Sequence, residues 1–219
     1  MEQTFDETNI IIGVDEAGRG PLFGDVYTSA VVLPDDDFDR SCLKDSKKFT
    51  SKNKIKKVFD YIIDNCKYYS IDYANHEEVD KYNILQATQN SMHRSINNVI
   101  NLLIKDNPTL NLNCIKIKVD GNYFRDFKYF HNDMINIINH ECLVKGDALC
   151  KEISASSILA KVSRDNYIQT FIEENPEYEE KYHLSKNKGY GTKQHFLSLN
   201  KYGLTNLHRK SFLNKLNLI

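Results

Sequence analysis

The chain has 219 residues, of which 41% are hydrophobic and 27% are charged. This composition is typical of a globular protein that buries a core, and it excludes disorder as the main state. No apolar run approaches the ~20 residues that a membrane-spanning helix needs. The first residues are acidic and lack the basic-then-apolar layout of a secretory signal. We therefore expect an intracellular, cytoplasmic protein with no membrane partner, and a nuclear location stays open.

Strand and helix signals alternate along the chain. Runs rich in β-branched and aromatic residues predict strands at 9–14, 23–33, 68–73, 115–119 and 142–144. Apolar residues at helical spacing predict helices at 52–65, 77–104 and 153–174. The first two strands are expected to form a hairpin around the glycine-punctuated segment 15–21, and Pro176 marks a boundary before the C-terminal tail. This alternation favours an α/β fold.

Charge and cysteine content separate several classes of partner. The net charge is −1, but residues 181–219 contain eight basic and no acidic residues, and a second basic cluster spans 40–57. Either cluster could attract a polyanion, although a solvated helix surface is the commoner explanation of a lysine run. The five cysteines are odd in number and form no C-x-x-C pair. We expect reduced, structural thiols instead of a disulfide framework or a zinc site.

Carboxylates follow three of the predicted strands. Asp15 and Glu16 follow the first, Asp120 follows the middle one and Asp147 follows the last. Side chains at the strand ends of an α/β sheet commonly form sites, because the sheet fixes them and the loops leave them open. Grouped carboxylates repel one another unless cations neutralise them, and oxygen ligands favour Mg²⁺ or Mn²⁺ over zinc. Two such ions would suit phosphodiester hydrolysis. Spacing alone leaves open whether these acids converge or lie on separate loops.

The glycines at positions 18 and 20 permit close approach of the backbone to a ligand, because glycine has no Cβ. Taken alone, a tight hairpin turn is the commoner explanation of this pattern. The third glycine and the following helix of a dinucleotide fingerprint are missing, so a Rossmann cofactor site is disfavoured.

The most specific signal is a set of eight short segments spread over nearly the whole chain. They are GVDEAGRGPLFG at 13–24, LKDSKK at 43–48, NILQAT at 83–88, VDGN at 119–122, KGDA at 145–148, ISASSILAKVSRD at 153–165, GYGT at 189–192 and HRKSF at 208–212. In content and order these segments resemble the signatures of the ribonuclease HII family, the type 2 ribonucleases H. The resemblance implies an α/β, RNase H-like fold with a mixed central sheet flanked by helices. It also implies a C-terminal helical extension.

The same resemblance implies an activity and a catalytic centre. The activity is hydrolysis of RNA in RNA/DNA hybrids and incision on the 5′ side of ribonucleotides embedded in duplex DNA, leaving 3′-hydroxyl and 5′-phosphate ends. The residues that match the family's catalytic and metal-binding acids are Asp15, Glu16, Asp120 and Asp147. Two Mg²⁺ or Mn²⁺ ions are expected in this centre. With the boundary at Pro176, we expect a catalytic domain at 1–175 and a basic, substrate-binding helical extension at 176–219.

A second set of residues is implied to bind the substrate: Gly18, Arg19, Gly20, Lys47, Lys48 and Tyr190. The first three match the loop that senses the ribose 2′-hydroxyl, the group that distinguishes RNA from DNA. The two lysines are expected to bind phosphates. The tyrosine matches the one that recognises the ribonucleotide–deoxyribonucleotide junction by packing on the following sugar.

Two features bear on how far the resemblance extends. Asp25 stands where the family commonly has proline, and we expect it either to lie harmlessly on the surface or to perturb metal binding. The helix after Asp147 carries Ser154, Ser156 and Ser157, which we expect mainly to pack. Arg19 favours ribonuclease HII over the sister family ribonuclease HIII, which typically has threonine there. We expect a monomer, and neither a partner subunit nor a sliding-clamp motif is evident.

Two functions of other kinds stay open. A hybrid-binding protein could keep this fold and lack turnover, although the intact set of four acids argues against it. A transposase or integrase of related fold would also use metal-bound acids, but it would transfer strands on DNA, and no segment resembles its motifs.

Overall fold

The centre of the molecule is a mixed sheet. The computed structural model describes residues 9–35, 38–43, 49 and 51–213. The strands within them are β1 Ile10–Ala17, β2 Val26–Val32, β3 Tyr68–Ala74, β4 Ile115–Asp120, β5 Phe127–His131 and β6 Met134–Leu143. Their order across the sheet is β3-β2-β1-β4-β6-β5. The pairs β1–β4 and β4–β6 are parallel, and the other pairs are antiparallel. This arrangement confirms the predicted α/β, RNase H-like fold.

Helices flank the sheet on both faces. They are α1 Lys52–Asn65, α2 His76–Asp106, α3 Gly146–Leu149, α4 Lys151–Glu174, α5 Pro176–Tyr182, α6 Leu184–Asn187, α7 Lys193–Tyr202 and α8 Lys210–Leu213. The three predicted helices are confirmed, with α1 at its predicted bounds. Ser51 begins α1 by accepting a hydrogen bond from the Lys54 N–H, and Asn75 begins α2 through a capping box with Glu78. None of these helices is both long and apolar enough to cross a bilayer.

The predicted boundaries were wrong in three places. β1 continues to Ala17, so Asp15 and Glu16 are among the last three residues of the strand and do not lie in the loop after it. The predicted strand at 142–144 is only the end of β6, and the β5–β6 hairpin was missed. The long helix α2 is interrupted at Asn83, which has φ 65° and ψ 162°. The Asn83 side chain accepts from the Gln86 N–H and so restarts the helix.

Two hydrophobic layers hold the sheet. On one face α2 packs against β3, β2 and β1, and the layer includes fully buried side chains such as Ile12, Ile96 and Ile117. On the other face, α4 and α1 cover β2 and neighbouring strands through residues such as Ile62 and Leu159. Complete burial of an aliphatic side chain contributes about 1.5–3 kcal/mol relative to exposure, so these layers dominate folding.

A third layer joins the C-terminal helices to the rest. Phe23 and Ile168 pack with Tyr182, Leu184 and Leu199 in one buried cluster. The described residues after Pro176, up to Leu213, therefore share a core with α4 and with the loop that follows β1. All five cysteines are free thiols in this structure.

The contact between α4 and β1 depends on a single glycine. A Cβ built on Gly13 would lie 2.1 Å from the carbonyl carbon of Glu152 and 2.5 Å from the backbone nitrogen of Ile153. Only a residue without a side chain therefore lets the first turn of α4 rest on β1. The carboxylate two residues further along β1 lies beneath the same helix.

We predict that Gly13→Ala lowers the free energy of unfolding by about 3 kcal/mol, because backbone must move to admit the methyl group. Gly203→Ala measures backbone strain without a clash, since its added Cβ meets nothing within 4 Å. Because Gly203 combines φ 78° with ψ −173°, that variant should lose about 1–3 kcal/mol. Urea unfolding followed by circular dichroism measures both. A loss below about 1 kcal/mol for Gly13→Ala would show that α4 does not press on β1 at this position.

Candidate active site

The carboxylates approach one another because the parallel pairing of β1, β4 and β6 ends at one level of the sheet. Val14 of β1 pairs with Val119 of β4, so Asp15 and Asp120 take the next positions on neighbouring strands. Asp120 in turn pairs with Leu143 at the end of β6, and Asp147 lies four residues beyond it. The carboxyl ends of parallel strands meet at one edge, which is where α/β folds build sites.

Asp15 is the most enclosed member of this group. It is 5% exposed, and its Oδ1 accepts a 2.7 Å hydrogen bond from the backbone N–H of Glu16. Burial raises its pKa well above the ordinary value, and the negative charges of Glu16 and Asp120 raise that pKa further. A hydrogen bond with the Ser157 side chain opposes the shift. Mutual repulsion of this kind requires the three carboxylates to face a common region.

Asp120 and Asp147 are connected through the backbone. The N–H of Gly146 donates a 2.6 Å hydrogen bond to Asp120 Oδ1, which fixes the orientation of that carboxylate. Asp147 is the next residue, buried in the first turn of α3. The four predicted acids therefore lie at one end of the sheet, with Asp120 held against the backbone beside Asp147.

This arrangement has the chemistry of a divalent-cation site. Carboxylate oxygens are the ligands that Mg²⁺ and Mn²⁺ prefer, and a cation would relieve the repulsion that raises the pKa of Asp15. Within the described ranges, no three His, Cys, Asp or Glu side chains already have metal-binding geometry. The donor set and its charge therefore fit divalent cations, and the side chains would have to move together when cations bind.

The glycine loop lies directly beside these acids. Arg19 Nη1 is 3.3 Å from Glu16 Oε1, and the Arg19 side chain is 47% exposed. Gly18 has φ +96°, and a Cβ there would lie 2.1 Å from Nε of Arg164. The loop is therefore packed against a buried guanidinium on one side and is open to solvent at Arg19 on the other.

Sequence reasoning missed the groups that hold this loop. Arg209 is fully buried, and its guanidinium donates to the carbonyls of Gly24, Arg19 and Pro21 at 2.8, 3.1 and 2.9 Å. Burial lowers its pKa to about 10. Arg164 donates to the carbonyl of Lys188 at 2.9 Å. Arg209 was counted in the basic tail, yet it is unavailable to a polyanion. Its place in the HRKSF segment was the one signal of another role.

Tyr190 completes the group around the loop. The residue is 47% exposed, and its Cε1 would be 3.3 Å from a Cβ on Gly20. The guanidinium carbon of Arg164 is 5.9 Å from the ring centroid. The structure therefore brings Tyr190 next to the glycine loop, whereas Lys47 and Lys48 lie outside the described residues.

Two smaller expectations need correction. Asp25 does not lie on the surface: it is 7% exposed, and burial raises its pKa against the attraction of His76 and Arg209. Ser157 does more than pack, because it hydrogen-bonds Asp15. Ser156 donates a 2.7 Å hydrogen bond to the carbonyl of Ser29, which ties α4 to β2.

A mixed sheet whose parallel strands converge on a group of carboxylates defines an RNase H-like nuclease. Comparison with known proteins agrees. The family model of ribonuclease HII matches residues 12–215. The ribonuclease HII of Francisella tularensis subsp. mediasiatica is 41% identical over 203 residues, which are 93% of this chain and 95% of that protein. The chain belongs to the ribonuclease HII family, whose members are endonucleolytic hydrolases of RNA in RNA/DNA hybrids.

Solved structures support the fold. The ribonuclease H2 of Pyrococcus horikoshii superposes with a TM-score of 0.69 at 21% identity, covering 95% of this chain and 96% of that one. Bst-RNase HIII, solved in complex with Mn²⁺, gives a TM-score of 0.62 at 19% identity. That superposition covers 96% of this chain and 69% of the Bst-RNase HIII chain.

We predict that Asp15→Asn stabilises the protein in the presence of a chelator. The amide can still accept from the Glu16 N–H, while the repulsion and the desolvated charge are removed. The gain should be about 1 kcal/mol, or about 2–4 °C in melting temperature. Asp60→Asn is the matched control, because Asp60 lies in an exposed pair with Lys56 and should change stability by less than about 0.5 kcal/mol. A lower melting temperature for Asp15→Asn would contradict the proposed repulsion.

Proposed function

We propose that this member of the ribonuclease HII family is a divalent-metal-dependent endonuclease that incises on the 5′ side of ribonucleotides embedded in duplex DNA and also cleaves long RNA/DNA hybrids. The products carry 3′-hydroxyl and 5′-phosphate ends. The single observation that carries this proposal is the placement of Asp15, Glu16 and Asp120 near enough for mutual repulsion, beside an exposed Arg19.

In this proposal the four acids bind the metal ions of the catalytic centre. Two Mg²⁺ or Mn²⁺ ions bound there would supply an activated water and neutralise charge on the leaving oxygen. The protein's own contribution is preorganisation. The Gly146 N–H keeps Asp120 in place, and the Glu16 N–H and Ser157 keep Asp15 in place. Phosphoryl transfer gains most of its rate from such positioning and charge complementarity, so no side-chain nucleophile is needed.

The loop and the tyrosine provide the choice of substrate. We infer that Gly18, Arg19 and Gly20 contact the ribose 2′-hydroxyl, while Tyr190 packs on the sugar that follows. Their proximity supports this assignment, since a 2′-hydroxyl next to the scissile phosphate must lie beside the carboxylates and the loop together. Phosphate binding by Lys47, Lys48 and the basic extension 176–219 remains part of the proposal.

We predict that Asp120→Asn lowers kcat on a duplex with one ribonucleotide by at least about a thousand-fold, because a cation ligand is lost. The fold should be spared, since the amide oxygen still accepts from Gly146. Asp126→Asn, which removes a 65% exposed carboxylate, is the control and should keep near-normal turnover. Gel assays with Mg²⁺ or Mn²⁺ measure both variants.

Each outcome of that assay has a clear meaning. Near-normal turnover by a folded Asp120→Asn protein would overturn the assignment of the acids. Binding of the duplex by the wild-type chain, without product at any metal concentration, would instead identify a hybrid-binding protein that has lost turnover.

We predict that Arg19→Thr weakens selectivity for isolated ribonucleotides more than it affects long hybrids. The ratio of kcat/KM for the two substrates should fall about tenfold, because a single embedded ribose depends on each contact to its one 2′-hydroxyl. Lys56→Thr removes a positive charge from the exposed face of α1 and serves as the control. An equal loss on both substrates would assign Arg19 to general phosphate attraction.

A further inference from the structure

Behind Tyr190 lies a buried pair of histidines that the catalytic proposal does not use. His195 on α7 and His208 before α8 are both fully buried, and their Nε2 atoms are 3.2 Å apart. The rings lie among aromatic side chains, with Tyr182 5.3 Å and Phe23 5.0 Å from His208 between ring centroids. The pair links residues 205–208 to the carbonyl of Tyr190.

The backbone partners determine where each proton resides. The Thr205 N–H can only donate, and it lies 3.0 Å from His208 Nδ1, so that nitrogen is an acceptor. His208 therefore carries its proton on Nε2 and donates to Nε2 of His195. His195 must then carry its own proton on Nδ1, which donates to the Tyr190 carbonyl at 3.0 Å. All three of these hydrogen bonds form together only when both imidazole rings are neutral.

This series of hydrogen bonds ends at the backbone carbonyl of Tyr190, a residue whose side chain is exposed. The same Tyr190 carbonyl also accepts from the Thr192 N–H at 2.8 Å, and the Tyr190 N–H donates to the Asn187 carbonyl at 2.9 Å. The backbone of Tyr190 is thus fixed from three directions while its ring remains open beside Gly20. A fixed backbone restricts the ring to few orientations before any ligand arrives, which lowers the entropy lost on binding.

We propose that His195 and His208 are positioning residues that act through Tyr190 to set selectivity for the ribonucleotide–deoxyribonucleotide junction. This inference rests on the proposed role of Tyr190 and deepens it. Through its hydrogen bonds, the neutral pair connects residues 205–208 to the backbone of Tyr190 and so holds the tyrosine in place. Burial supports neutrality, because it lowers the pKa of both imidazoles, that of His208 to about 3.

The test compares cleavage of a duplex with one ribonucleotide against cleavage of a long hybrid. His195→Phe keeps the ring and removes both nitrogens, and we expect the selectivity ratio to fall about tenfold. His195→Asn places an amide donor near the position of Nδ1 but cannot replace Nε2, so it keeps the bond to the Tyr190 carbonyl and loses the bond to His208. It should recover only part of the ratio that His195→Phe loses, and full recovery would show that His208 plays no part. Leu199→Ala is the control for simple destabilisation, since Leu199 is buried on the same helix. It should lower the melting temperature and leave the ratio unchanged.

Combining variants separates this inference from the function on which it rests. In a Tyr190→Ala background, His195→Phe should cause no further fall in the ratio, because the two residues act in series. If Tyr190→Ala alone leaves the ratio unchanged, the role of Tyr190 fails and this inference fails with it. If Tyr190→Ala lowers the ratio while His195→Phe slows both substrates equally, only the inference is overturned.

A measurement on the wild-type protein covers the case in which His195→Phe does not fold. Nitrogen-15 NMR of the imidazoles should find His195 protonated only on Nδ1 and His208 only on Nε2, unchanged from about pH 5 to pH 8. The reverse tautomers, or a charged ring within that range, would overturn the proposal.

Discussion

In the centre of the sheet, Val14 pairs with Val119 and Asp120 pairs with Leu143. This parallel register is the constraint on which the site depends, because it places the ends of β1, β4 and β6 side by side. Shifting one strand by a single residue would turn its carboxylate to the opposite face of the sheet. The register is held by the buried side chains of the α2 face, where Ile12 and Ile117 are fully enclosed. Apolar packing on the α2 face of the sheet therefore fixes the strand register, and the register fixes the positions of the carboxylates on the opposite face.

The elements with strong local signals could be predicted from the sequence. Helix α1 has the expected bounds because a serine cap and apolar residues at helical spacing agree. The β5–β6 hairpin was missed, because its outer face carries exposed apolar side chains such as Phe130 and Ile135, which hide the alternation. Its turn did carry a signal: Asn132 and Asp133 both have positive φ, as a two-residue hairpin loop requires.

The sequence identified candidate residues of the site, but it did not identify the buried residues that hold them in place. Strand ends identified the four acids, and the family resemblance identified the loop and Tyr190. Apart from the HRKSF segment that contains both residues, no local sequence feature indicates that Arg209 and His208 contact segments almost two hundred residues away. Arg209 contributes to a basic count in the sequence, whereas in the fold its charge is buried against backbone carbonyls. Charge counts cannot separate a solvated arginine from one that holds a loop, since burial follows from tertiary packing.

The environment of Asp25 follows from the same packing. Burying two guanidinium groups, those of Arg164 and Arg209, near one loop carries a large desolvation cost, and backbone carbonyls offset only part of it. The positive charges of both groups attract the Asp25 carboxylate. The backbone N–H of His76, in the first turn of α2, also hydrogen-bonds this carboxylate. Asp25 therefore supplies counter-charge to the arginines that hold the glycine loop. Its electrostatic partners are these cationic groups and not the acids of the candidate metal centre, so Asp25 bears on the packing of the glycine loop.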